Sequence, residues 1–149
     1  MSNLHTISTI PVMTRWFMIF ASLLGALGVA SGAYASHGLS NWASPEQVDI
    51  FKTAVSYQLF HTLTLLFVCL FSLFYRSTML LVSQFCFTFG IILFSGSLYC
   101  YVFTGVKVLG AITPVGGLLL ISAWLLLGLF LNHANVNKCL IKIKQRKIC

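Results

Sequence analysis

Four long uncharged stretches, set off by isolated charges, organise this chain. Between Arg15 and Glu46, Lys52 and Arg76, Arg76 and Lys107, and Lys107 and Lys138 lie 30, 23, 30 and 30 residues without one Asp, Glu, Lys or Arg. A bilayer core is crossed by a helix of about 20 apolar residues. Each stretch is therefore read as one span, and the chain as an all-α membrane protein: a four-transmembrane-helix antiparallel bundle with short loops. The spans fall at about 15–35, 53–75, 79–103 and 112–132, a basic tail occupies 133–149, and residues 1–149 form a single membrane domain.

Local signals place the helix ends. Helix 1 leaves through Ser36-His37-Gly38, a polar, glycine-containing exit. Ser44-Pro45-Glu46-Gln47 supplies a serine N-cap, proline at the first helical position, an acid near the positive end of the dipole and glutamine at the capping-box position. From there helix 2 reaches Tyr75, longer than the bilayer core requires, so its first turns protrude, lie along the interface or bend. Arg76-Ser77-Thr78 is a tight turn, which makes helices 2 and 3 an antiparallel hairpin. Thr104 to Lys107 breaks helix 3, and Thr113-Pro114 reads as the cap and first position of helix 4; the alternative is a start near Val108 with a kink at Pro114. The apolar run Trp16–Ala35 ends in an A-x-A pattern resembling a signal-peptidase site, yet its twenty residues exceed the usual 7 to 15 of a signal core and match a retained span.

Steps of three and four along helix 1 land on Ala21, Gly25, Gly28, Gly32 and Ala35, and along helix 3 on Ser83, Cys86, Gly90, Leu93, Ser97 and Cys100. Lipid supplies no hydrophobic drive for helix association, so close approach along small residues is the main attractive device. Gly25, Gly28, Gly32, Ser83, Gly90 and Ser97 are accordingly assigned to helix-packing seams.

Helix 2 carries Tyr57, Gln58 and His61 within two turns, and unpaired polar groups facing hydrocarbon are costly. With His37 at the outer end of helix 1, Ser97 on helix 3 and Thr113 at the outer start of helix 4, they are expected to converge. The candidate site is a polar pocket in the outer half of the bundle built from His37, Tyr57, Gln58, His61, Ser97 and Thr113. It reads either as a hydrogen-bonded network that fixes helix registry or as a ligand site.

Composition sharpens the class. Of 149 residues, 58% are hydrophobic and 7% charged, with mean hydropathy +0.94, more apolar surface than one soluble core of this size hides. The net charge of +7 comes mostly from Lys138, Lys142, Lys144, Arg146 and Lys147, with Arg15 and Arg76 beside the membrane. Placing both termini and the Arg76 turn in the cytoplasm puts seven of the nine cations inside, as the positive-inside rule requires, and leaves Lys52, Lys107, Glu46 and Asp49 outside. This basic tail is a topology signal, so no nucleic-acid partner is implied. The tail also permits a short interfacial segment against anionic lipid.

The five cysteines show no disulfide pattern and read as packing residues, with acylation open at Cys139 or Cys149. No ligand spacing for a metal, no cofactor motif and no set of nucleophile, base and orienting group is recognisable, so no enzyme is expected.

Four segments carry a family likeness: GALGVASGAYASHGL from Gly25 to Leu39, FKTAVSYQLFH from Phe51 to His61, FSGSLYC from Phe94 to Cys100, and GAITPVGG with AW, Gly110 to Gly117 and Ala123-Trp124. Through them, over about Arg15 to Leu131, the chain resembles the YgdD family of small bacterial inner-membrane proteins, a domain-of-unknown-function family related to a small eukaryotic transmembrane protein. The family often has Phe-Gly-Ala where this chain has Tyr34-Ala35-Ser36. The resemblance implies a polytopic inner-membrane protein with no established activity, and polar positions matching His37, Tyr57, Gln58, His61, Ser95, Ser97, Thr113 and Pro114. The expected function is that of a non-enzymatic accessory or structural protein of the bacterial inner membrane. Its partners are the lipid bilayer and a second copy or another membrane protein. The alternative is an oligomeric small-solute or ion channel or transporter that uses the polar pocket.

Overall fold

The structure is a computed structural model that describes the backbone of residues 12–146 and the side chains of residues 12–133. It is all-α: α1 (Val12–His37), a 3₁₀ turn (Leu39–Asn41), α2 (Pro45–Phe74), α3 (Thr78–Thr104) and α4 (Val108–Arg146). All four helices are long and apolar enough to cross a membrane. This is the fold class that the uncharged stretches imply. The tail side chains from Lys138 to Lys147, Cys139 and Cys149 fall outside those described.

Capping chemistry sets most ends. The Ser44 hydroxyl accepts from the Gln47 amide at 3.2 Å while Gln47 Oε1 accepts from the Ser44 amide at 2.9 Å, a complete capping box with Pro45 in the first turn. Ser77 caps α3 by accepting from the Met79 amide at 3.2 Å. Gly105 ends α3 in the left-handed conformation, φ 70°, which a side chain would strain.

Helix α4 takes the alternative start of the sequence reading, near Val108, in place of the preferred one at Thr113-Pro114, and it runs beyond the expected end. It begins at Val108, so Thr113 is not its cap and Pro114 lies inside the helix. A proline here frees the carbonyl four residues earlier, at Gly110, where no side chain crowds the backbone. At the other end α4 runs past Asn132 to Arg146, because the segment read as a tail contains neither glycine nor proline to stop it.

Packing follows chain order: α1 on α2, α2 on α3, α3 on α4, with α1 only grazing α3 and no comparable interface joining α4 to α1 or α2. The bundle is thus an open row, with α3 most buried. The glycine seams serve these pairings. A Cβ on Gly28 would collide with the Leu59 side chain at 2.6 Å, and one on Gly32 would press on Val55 at 3.4 Å, so α1's seam faces α2. Gly90 on α3 faces Leu120 of α4, whose side chain would lie 2.7 Å from an added Cβ. Ser83, fully buried, donates to the Ala123 carbonyl of α4 at 2.9 Å. The main core lies between these faces, around Leu65, Val68, Phe87, Ile91 and Leu120, and a smaller one around Leu39, Phe51 and Val102 closes the end that holds the 3₁₀ turn.

Candidate functional site

The polar residues expected in one pocket occupy three places. Successive helical residues are turned by about 100°, so Gln58 is about 100° from Tyr57 and about 60° from His61, enough for its amide to reach α1 and α3 while the other two line the far side of α2. Gln58, 4% exposed, is the centre of a three-helix clamp. Its Nε2 donates to the Leu24 carbonyl of α1 at 2.7 Å and its Oε1 accepts from the Tyr99 hydroxyl of α3 at 2.8 Å.

Ser97 and Thr113 form the second place. Their hydroxyls share a hydrogen bond of 2.8 Å between α3 and α4, and Ser97 also donates to the Phe94 carbonyl at 3.0 Å. Tyr57 and His61 form the third, described below. His37 joins none of them: it is the last residue of α1, is exposed, and its side chain makes no hydrogen bond among the described residues. A helix end without a neighbour on its outer side leaves that ring free.

Because α4 leans on α3 and not on α2, a groove remains between α2 and α4 with α3 as its floor. Its volume is about 680 Å³, and Phe60, Ile121 and Trp124 at its rim are exposed. Ser56, Tyr57, Phe60 and His61 of α2 form one wall, Phe94 of α3 the floor, and Gly117, Leu120, Ile121 and Trp124 of α4 the other wall. The rings are ordered: Tyr57 stacks on Phe94 at 4.3 Å between centroids, 20° from parallel, and on His61 at 5.5 Å. Phe87 meets His61 at 6.1 Å, and Trp124 stands edge-on to it at 6.5 Å. Gly117 of α4 lies beside the Phe94 ring, and a Cβ there would make ordinary contact with it, at 3.7 Å.

Polar chemistry in the groove is sparse and directional. His61 Nδ1 lies 2.7 Å from the Tyr57 carbonyl oxygen. A carbonyl can only accept, so Nδ1 carries the proton, and Nε2 of the uncharged ring is left as a lone-pair acceptor. The Ser56 hydroxyl is already spent on the Lys52 carbonyl at 3.0 Å. The Trp124 indole N–H makes no hydrogen bond among the described residues. Volumes of about 300–1,000 Å³ lined by rings with a few polar atoms typify small-molecule sites.

Sequence reasoning singled out Tyr57, Gln58 and His61 but not Tyr99, Phe94, Gly117 or Trp124. Tyr99 and Phe94 belong to the family-like segment FSGSLYC but carried no assigned role. Trp124 and Gly117 stood in the family-like segments without a role. Among the described residues, no three His, Cys, Asp or Glu side chains gather as metal ligands.

The family described as "Protein of unknown function (DUF423)" matches residues 31–117, which hold the clamp's Gln58 and Tyr99 and the groove's α2 wall and floor. The chain is similar to a UPF0382 membrane protein of Staphylococcus haemolyticus, 37% identical over 113 residues that cover 76% of this chain and 92% of the relative. A UPF0382 membrane protein of Staphylococcus aureus is 40% identical over the same shares. One from Staphylococcus epidermidis is 40% identical over 111 residues, 74% of this chain and 90% of the relative. No solved structure matches the chain.

Proposed function

Since the chain belongs to the DUF423 family of UPF0382 membrane proteins, we propose that it is a non-enzymatic accessory protein of the bacterial inner membrane that takes a hydrophobic molecule sideways from the bilayer into the α2–α4 groove. The observation that carries this reading is the groove itself: aromatic walls, an exposed rim and a few polar tips, His61 Nε2, the Tyr57 hydroxyl and the Trp124 N–H, within otherwise apolar surroundings. Such atoms facing hydrocarbon are costly unless something satisfies them. The groove presents no nucleophile with a base and an orienting group, and the reading is therefore of binding without turnover.

The N- and C-termini lie in the cytoplasm in this proposal, supported by the distribution of cations. An oligomeric solute or ion pathway gains no support from the geometry. Gln58, Ser97 and Thr113, which it would use, are closed by bonds within the row of helices.

A photoreactive residue tests the groove directly. Placed at Ile121 on the groove wall, it should form lipid or small-molecule adducts in native membranes well above those of the same residue at Leu23, on the exposed face of α1. Gly117→Leu, which fills the groove, should bring Ile121 down to the Leu23 level. Equal labelling at the two positions in the unaltered groove refutes the reading.

A further inference from the structure

Building on the groove reading, we propose that its ligand is a lipid-soluble quinol, held in its reduced form, with one ring hydroxyl against His61 and Trp124 and the hydrocarbon tail leaving over the exposed rim at Phe60 and Ile121.

Hydrogen-bond complementarity comes first. His61 Nδ1 is committed to the Tyr57 carbonyl at 2.7 Å, so Nε2 needs a donor from the ligand. The Trp124 indole N–H is a donor without a partner among the described residues, so it needs an acceptor. One phenolic hydroxyl meets both demands, giving its proton to His61 and accepting from Trp124. An oxidised quinone offers only acceptors and leaves Nε2 unpaired.

Depth then excludes ordinary phospholipid. His61 lies nine residues beyond Lys52, about 14 Å along α2, close to the middle of a core about 30 Å thick. Phospholipid donors sit in the headgroups, and acyl chains carry none, so a lipid tail in the groove would leave the histidine acceptor as unsatisfied as an empty one.

Shape selects a ring over a simple fatty alcohol. Tyr57 and Phe94 form a nearly parallel stacked pair beside His61, Trp124 stands edge-on, and the half-exposed rings of Tyr57 and Trp124 border the groove. A flat ring finds faces and edges here. A volume of about 680 Å³ holds such a head with part of its tail.

The test uses the full-length protein in lipid nanodiscs with the photoreactive residue at Ile121, and competes its adducts with a decyl-substituted benzoquinol, the matching quinone and decanol. The quinol should suppress labelling at a concentration about tenfold below the quinone, one hydrogen bond's worth of discrimination, and decanol should compete more weakly than either. His61→Phe, which keeps a ring but removes the acceptor, should erase the quinol preference while the quinone still competes. Equal competition by quinol and quinone overturns the assignment of the reduced form, and decanol matching the quinol overturns the assignment of a ring. Strong labelling at Ile121 over Leu23 that no quinol competes refutes the quinol alone and leaves the groove standing; loss of the Ile121 excess itself refutes both. The quinol-to-quinone comparison is made on the unsubstituted His61, so it holds even if the variant fails to fold.

Discussion

Gly116 of α4 sits directly against the Phe94 backbone of α3: a Cβ at Gly116 would collide with the Phe94 amide nitrogen and stand 2.8 Å from its Cα. This backbone-on-backbone approach is the tightest of the glycine contacts, and it draws α4 onto α3 beside the groove. Phe94 presents its backbone to Gly116 and its ring to Tyr57 and Gly117, so one residue both anchors α4 and floors the groove.

That contact predicts an asymmetric response to a single methyl group. Gly116→Ala has rigid backbone in its way and should cost about 1–3 kcal/mol, the usual range for overpacking. Gly128→Ala on the same helix meets nothing within 4 Å and should be neutral or slightly stabilising, since alanine is the better helix former. Unfolding of the purified protein in mixed micelles measures both, and equal effects would contradict the packing described.

The Gln58–Tyr99 bond is open to a double-mutant cycle. Tyr99→Phe removes the donor to Gln58 Oε1, and Gln58→Leu removes both of its interhelical bonds. Coupling energies between membrane helices average about 0.6 kcal/mol and reach about 1.7 kcal/mol. A cycle on stability should give a favourable coupling in that range; additive effects would show that the two side chains do not meet.

Thr62 offers the opposite case. Its hydroxyl is buried with no partner among the described residues, while its methyl group packs 3.8 Å from where a Cβ on Gly25 would lie. Thr62→Val keeps the shape and removes an unsatisfied oxygen, so stability should stay level or rise. Thr62→Ala also removes the methyl group and should lower it by about 1 kcal/mol, read in the same unfolding assay.

Topology yields to reporter fusions. Fusions at Thr78 and after Cys149 should be active only as cytoplasmic reporters, and those at Ser40 and Val106 only as external ones. The reverse pattern would invert the orientation and leave the fold unchanged.

The number of apolar helices was legible in the sequence because crossing a bilayer imposes a minimum length and forbids charge, both of which a string of residues shows directly. The Ser44 capping box was legible for a similar reason, since a cap is made by residues three apart. The small-residue seams could be seen but not addressed: periodicity marks a face and does not say which helix will meet it. Tertiary structure decided that Gly28 receives Leu59 and Gly90 receives Leu120. It also decided that α4 starts six residues before Pro114, because lost hydrogen bonds at a proline are tolerated in a long membrane helix. Above all it divided the polar residues. Gln58 and His61 are neighbours on one helix and look like one cluster in sequence, yet the angle between them sends the first to a clamp with Leu24 and Tyr99 and leaves the second on the wall of a groove. That groove exists only because α4 packs on α3 and not on α2, a choice made by distant surfaces fitting together and therefore written nowhere in the local order of residues.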